Sequence, residues 1–137
     1  MTFEIKGSEF LKDGKPIKLI SGAVHYFRNM PDTWNDIFLK MKAMGCNCVE
    51  TYCAWNMHEK QPGVYDFTGN LNIAEFIKTA QANDLMVIVR PGPYICSEWE
   101  FGGLPWWIQT DESMEIRCSN PTYIKHFTAI WTTCLQK

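Results

Sequence analysis

The apolar segment 85–89 (LMVIV) constrains the fold of this chain most. It lacks the apolar–polar alternation of a half-exposed strand, and such runs are typical of parallel sheets that helices cover on both faces. Parallel neighbours require a crossover connection, usually a helix, between consecutive strands. A helical pattern does precede the segment. We therefore expect an α/β fold.

Strand-type and helix-type segments alternate along the chain. The run 16–20 continues into 21–25 (SGAVH) and is predicted as a first strand, and 48–53 is predicted as a second. A loop then runs to about Asn70. Amphipathic helices are expected where Pro31 opens and Gly45 ends a helical pattern, around 73–80, and after the cap at 120–121. Their apolar stripes are Trp34, Ile37, Phe38, Met41 and Met44; Ile73, Ala74, Phe76, Ile77 and Ala80; and Ile124, Phe127, Ile130, Trp131 and Leu135.

The long segments rich in polar and aromatic residues all follow predicted strands: 21–34, 51–67 and 90–107. In a (β/α)8 barrel the active site is built from the loops at the carboxyl ends of the strands. We therefore expect the N-terminal portion, about three βα units, of a (β/α)8 TIM barrel. Such a barrel takes about 250 residues. Residues 1–137 are thus expected to form a partial catalytic domain, truncated at its C-terminus.

The composition excludes several classes of function. A hydrophobic fraction of 46% and a charged fraction of 20% are typical of a globular domain. A net charge of −2 without a basic cluster argues against a nucleic-acid partner, and no apolar run approaches the roughly 18 residues of a membrane span. No signal peptide is visible, which predicts a cytoplasmic protein. The six cysteines are then expected to be reduced, buried thiols, with no metal or disulfide role.

The segment 90–107 (RPGPYICSEWEFGGLPWW) places Glu98 and Glu100 among aromatic residues. Two carboxylates with aromatic neighbours are typical of sugar-cleaving enzymes. In an extended strand both would point to one face, with Cα atoms about 6.5–7 Å apart. The glycines of the segment indicate a loop, however, and barrel enzymes draw their catalytic groups from different strands. The residues alone leave the roles of Glu98 and Glu100 open.

The two earlier segments carry further candidates. His25 is either a site residue or a core histidine bonded to backbone groups, and Arg28 could bridge loops or hold a carboxylate. The second segment crowds polar and aromatic groups together: Tyr52, Trp55, Asn56, His58 and Glu59. Tyrosine and tryptophan rings suit the apolar face of a sugar, although packing alone would explain Trp55. A metal hydrolase using His25, His58 and Glu98 is another alternative, but the HExxH pattern of zinc hydrolases is not completed here.

Three motifs together resemble glycoside hydrolase family 35, the β-galactosidases. They are HYFRxxPxxW, then TYxxWNxHE followed by PGxYDF, then RPGPYICxEWxxGGLPxW, and the resemblance runs over essentially the whole chain. It implies a (β/α)8 catalytic domain, a β-galactoside substrate, hydrolysis of terminal β-linked galactose with retention of configuration, and no metal or organic cofactor.

The resemblance also assigns roles to individual residues. Tyr52 and Glu98 match galactose-binding residues, and Cys96 and Ser97 lie in the same binding loop. The acid/base glutamate, in an Asn-Glu motif after the fourth strand, and the nucleophile, from a later strand, are expected downstream of this chain. Two departures are small: Ser97 replaces a usual alanine or glycine, and Lys60 replaces a common proline. A non-catalytic sugar-binding module is the alternative function.

Overall fold

The computed structural model describes residues 2–136 and contains two three-stranded sheets. The strands are β1 (Phe3–Lys6), β2 (Glu9–Lys12), β3 (Lys15–Ile17), β4 (Ser21–Ala23), β5 (Cys48–Tyr52) and β6 (Met86–Arg90). The α-helices are α1 (Pro31–Ala43), α2 (Trp55–His58), α3 (Ile73–Ala82) and α4 (Pro121–Leu135). Short 3-10 helices span Tyr26–Arg28, Gly69–Leu71, Glu100–Gly103 and Trp106–Thr110. None of the helices within residues 2–136 has the length and hydropathy needed to cross a membrane.

The predicted first strand is two strands that belong to different sheets. β3 pairs antiparallel with β2 in the N-terminal sheet, whereas β4 pairs parallel with β5. In the segment between β3 and β4, backbone groups bond to the Asn47 side chain. Ile20 donates its N–H to Asn47 Oδ1 at 2.8 Å, and Asn47 Nδ2 donates to the Lys18 carbonyl at 2.7 Å. The continuous strand prediction was wrong because this side-chain bonding ends one sheet before the next begins.

The parallel sheet has the order β4-β5-β6, which confirms the expected α/β arrangement. Its register pairs Ala23 with Glu50 and Tyr52 with Arg90, so the carboxyl ends of the three strands lie side by side. β6 bonds to β5 on one side and is only partly buried over Met86–Val89. The fully buried strand predicted for 85–89 was therefore wrong in burial and one residue early.

The predicted helix boundaries follow from their caps. The pattern of α1 stops where Gly45 adopts φ +90° and Cys46 N–H bonds back to the Met41 carbonyl, an ending that favours glycine. Met44 lies beyond the helix and is 74% exposed, so its place in the buried stripe was wrong. Asn72 caps α3 by accepting the Glu75 N–H at 3.0 Å.

The last helix begins as predicted but turns a different face inward. Asn120 accepts the Tyr123 N–H at 3.1 Å and Pro121 occupies the first turn. Its inward face carries Tyr123, Phe127, Ile130 and Cys134, whereas Ile124, Trp131 and Leu135 of the predicted stripe are exposed. The actual face repeats at i, i+4 and i+7, and periodicity alone could not choose between two adjacent apolar stripes.

The main core packs the buried faces of α1 and α3 against the parallel sheet. Phe76 is fully buried and its ring contacts those of Trp34, Phe38 and Tyr26 at centroid distances of 5.3, 5.0 and 5.8 Å. A second cluster, beneath the Trp106–Thr110 helix, consists of Trp55, Leu104, Trp107, Ile108, Tyr123 and Ile130. These clusters hold the post-strand loops against the sheet.

Candidate functional site

A cleft of about 270 Å³ opens at the carboxyl ends of β4, β5 and β6. It is lined by the four site residues predicted from the sequence, Tyr52, Cys96, Ser97 and Glu98, together with Ala23, His25, Arg28, Glu50 and Arg90. Tyr52 is 7% exposed and Ser97 5%, while Cys96 and Glu98 face solvent. The predicted residues therefore come together at the edge of the sheet where barrel enzymes place their active sites.

Glu50 and Arg90 are cleft residues that the sequence interpretation missed. Arg90 Nη1 lies 2.8 Å from Glu50 Oε1, and its guanidinium lies 4.1 Å from the centroid of the Tyr52 ring. Alternation could have found Glu50, because side chains two residues apart share a face and Tyr52 already marked that face. Arg90 fixes the Tyr52 ring from above and is itself fixed by Glu50.

The Glu98 loop is not extended, which separates the two carboxylates of the segment. Glu98 has a left-handed φ of +49°, a conformation uncommon outside glycine. Glu100 opens the 3-10 helix Glu100–Gly103 and does not line the cleft. The same-face geometry of an extended strand therefore does not apply, as the glycines of the segment predicted. The Ser97 hydroxyl is buried without a hydrogen-bond partner in the described part of the chain.

Arg28 bridges the first loop to the third, one of the two roles expected for it. Its Nη2 donates to the carbonyl oxygens of Ser97 and Glu98, the latter at 3.2 Å. Its guanidinium also lies 5.0 Å from the centroid of the Trp99 ring, and Trp99 Nε1 donates to Asn56 Oδ1 at 3.1 Å. All three post-strand segments are thus joined around the backbone that carries Glu98.

His25 combines both of its sequence interpretations. Its Nδ1 accepts the Tyr52 backbone N–H at 3.4 Å, as a core histidine would, and yet the residue lines the cleft. Burial, followed by the charge of Arg28, lowers the pKa of His25 below its ordinary value of 6.5. A neutral imidazole at pH 7 follows.

His58 and Glu59 are structural. The Tyr26 hydroxyl and the Asp66 carbonyl occupy both ring nitrogens of the fully buried His58. Glu59, 2% exposed, accepts from Trp55 Nε1 at 2.6 Å and from the Gly63 N–H at 2.7 Å. Since His58 lies outside the cleft, the metal hydrolase using His25, His58 and Glu98 has no common site.

The cysteines differ in burial, contrary to the single interpretation as buried thiols. Cys48 and Cys53 are buried, but Cys96 and Cys118 are exposed. Burial raises the pKa of the Cys48 thiol, which keeps it protonated and inert. Cys96 is exposed in the loop that follows β6, and it lines the cleft.

We expect His58 to make the folded state less stable on acidification from pH 7 to pH 5. Burial lowers its pKa below 6.5, so the unfolded chain takes up a proton in this interval before the folded chain does. The stabilisation is present above pH 6.5 and is lost as the pH falls toward the folded-state pKa. Denaturant melts at the two pH values measure the loss.

The matched variant is His58→Gln, which cannot take up a proton, and it should lose less stability over the same interval. The pKa of His25 is lowered too, and its contribution of the same sign is common to both proteins. Equal losses in the two proteins would contradict the assignment to His58.

The architecture is similar to that of two solved glycosidases. An exo-β-1,4-mannosidase from Opitutaceae bacterium strain TAV5 matches with a TM-score of 0.65 and 16% identity, over 88% of this chain and 22% of that chain. An endo-1,4-β-mannanase from Rhizomucor miehei matches with a TM-score of 0.54 and 19% identity, over 65% and 29%. At such identities the likeness shows the fold alone, which is of the TIM-barrel type.

Sequence relatives carry the comparison further. A β-galactosidase from Bos taurus is 50% identical over 125 residues, or 90% of this chain and 19% of that protein. Those from Homo sapiens and Xanthomonas manihotis are 48% and 46% identical, over 89% and 90% of this chain and 18% and 21% of their own. The chain therefore spans about a fifth of the length of the curated relatives it matches. The model of glycosyl hydrolases family 35 matches residues 9–137, and the chain belongs to this family.

Proposed function

We propose that the protein containing this chain is a retaining glycoside hydrolase that removes terminal β-linked galactose from β-galactosides. The observation that carries the proposal is the cleft, which gathers Tyr52, Cys96, Ser97 and Glu98 from two family motifs at one sheet edge. The roughly 50% identity to β-galactosidases supports galactose as the sugar.

The cleft residues would hold the galactose ring rather than break its bond. Glu98, as an ionised carboxylate, accepts hydrogen bonds from sugar hydroxyls, each charge-assisted bond contributing about 1.5–3 kcal/mol. Tyr52 frames the pocket with a ring that Arg90 holds in place. Cys96 and Ser97 line the same wall. Contacts of this kind position the ring and can strengthen in the transition state.

The bond-breaking groups belong to further βα units in this proposal. A retaining glycosidase needs a general acid and a nucleophile with carboxyl groups about 5–5.5 Å apart. Of the two carboxylates that line the cleft, Glu50 is ion-paired with Arg90, and Glu98 is the one that we assign to the sugar hydroxyls. Residues 1–137 would then be part of a catalytic (β/α)8 domain. The chemistry needs no metal or organic cofactor.

Substitution of Glu98 tests the proposal. We expect Glu98→Gln to weaken galactose binding and the hydrolysis of an aryl β-galactoside together, each at least about tenfold, because one charge-assisted hydrogen bond is replaced by a neutral one. Titration calorimetry with galactose and release of the aryl group measure the two effects. Glucose, which differs from galactose in the configuration of one hydroxyl, is the control ligand.

Glu100→Gln is the matched control, since Glu100 is exposed two residues away and outside the cleft. It should leave binding and hydrolysis unchanged. Intact activity in Glu98→Gln would contradict the assignment of Glu98. Galactose binding by a protein that hydrolyses no galactoside would favour the alternative, a non-catalytic sugar-binding module.

A further inference from the structure

The two ring nitrogens of His25 have different surroundings. Nδ1 accepts the backbone N–H of Tyr52, so the proton of the neutral ring sits on Nε2. No hydrogen bond to Nε2 occurs among residues 2–136, although the ring is half-buried at the wall of the cleft. A half-buried N–H donor without a protein partner is available to a ligand or to water.

The orientation of this ring is set before any ligand binds. His25 stacks on Phe27 with a centroid distance of 5.4 Å and an interplanar angle of 4°, and it meets the Tyr52 ring at 5.5 Å. Two ring contacts and one backbone hydrogen bond leave little rotational freedom. A donor held in this way loses little conformational entropy on binding.

The charges around His25 favour a neutral ligand. Arg28 is occupied by two backbone carbonyls, and Arg90 by the Glu50 carboxylate. The carboxylates of Glu50 and Glu98 balance the two arginines, so the charged side chains that line the cleft have no net formal charge, and the exposed Glu98 carboxylate can accept hydrogen bonds. A hydroxyl group both accepts and donates, so a polyol can use a neutral N–H and a carboxylate at once.

We infer that His25 is a further substrate-binding residue, whose Nε2–H donates a hydrogen bond to a hydroxyl of the bound sugar. The inference rests on the proposed function and adds an N–H donor to a pocket in which the assigned carboxylate, Glu98, only accepts. With Glu98 as acceptor and His25 as donor, the cleft presents complementary groups to a single sugar ring.

Two substitutions separate the nitrogens. His25→Asn places an amide oxygen near the position of Nδ1, keeps an acceptor for the Tyr52 N–H, and removes the donor at Nε2. His25→Gln carries its amide nitrogen farther out, near the position of Nε2. We expect galactose affinity to fall about three- to tenfold in His25→Asn, the effect of one neutral hydrogen bond, and to recover at least partly in His25→Gln.

Nitrogen-15 spectra of the wild-type imidazole at pH 7 give a readout that a purely structural role would not change. We expect a neutral ring with its proton on Nε2, and a shift of that Nε2–H resonance on addition of galactose. A proton on Nδ1, an unshifted resonance, or full affinity in His25→Asn would each overturn the inference. If the wild-type protein itself bound no galactose, the proposed function would fail with it, whereas wild-type binding with an unaffected His25→Asn variant would refute the role of His25 alone.

Discussion

Replacement of Phe76 by alanine is expected to lower the free energy of unfolding by about 3–5 kcal/mol, the usual cost of removing a buried aromatic ring. Phe76 is 0% exposed and its ring contacts Trp34 of α1, Phe38 of α1 and Tyr26 of the first post-strand segment. The cavity would lie among rigid rings that cannot collapse into it. Urea unfolding followed by tryptophan fluorescence measures the change.

Phe3→Ala is the matched control for this prediction. The Phe3 ring stacks on Phe10 in the N-terminal sheet but is 46% exposed, so its removal should cost less than about 1 kcal/mol. A small effect of Phe76→Ala, comparable to that of the control, would show that the core does not depend on the junction of α3 with α1.

Arg28→Met is expected to weaken galactose binding by about 10–100-fold and to lower the free energy of unfolding by about 2 kcal/mol. The Arg28 guanidinium donates to the Ser97 and Glu98 carbonyls and lies over the Trp99 ring. These contacts hold the backbone of Glu98 in its left-handed conformation. Such a conformation costs on the order of 1–3 kcal/mol and persists only where its surroundings impose it. We call these contacts of Arg28 the clamp, and without it Glu98 would leave the cleft.

Two controls separate the clamp from general effects of losing an arginine. Arg28→Lys keeps the charge but loses the planar fork, and should recover only part of the affinity. Arg117→Met removes an exposed guanidinium that lies 4.1 Å from the Tyr94 ring centroid, and Arg117 does not line the cleft. Galactose binding unaffected by Arg28→Met would contradict the clamp. An equal loss in Arg117→Met would assign the effect to charge alone.

The resemblance to family 35 singled out Tyr52, Cys96, Ser97 and Glu98, and their positions after predicted strands explain why they lie together. Parallel strands bring their carboxyl ends to one edge, so Tyr52 at the end of β5 and Glu98 after β6 had to approach each other. Glu50 escaped notice because it lies inside a strand, among residues that suggest packing. Arg90 opens its motif, but its ion pair with Glu50 joins residues 40 positions apart.

Short-range sequence patterns by themselves determined the alternation of helices and strands, the helix caps and the edge of the sheet at which the site lies. Apolar periodicity, Asn–Pro and glycine signals act over a few residues and are readable in the sequence. Only the tertiary structure decided the inward face of α4, the division of the first strand, the clamp by Arg28 and the orientation of His25. Each of these depends on a partner distant in sequence, and its energy exists only once the loops have packed against the sheet.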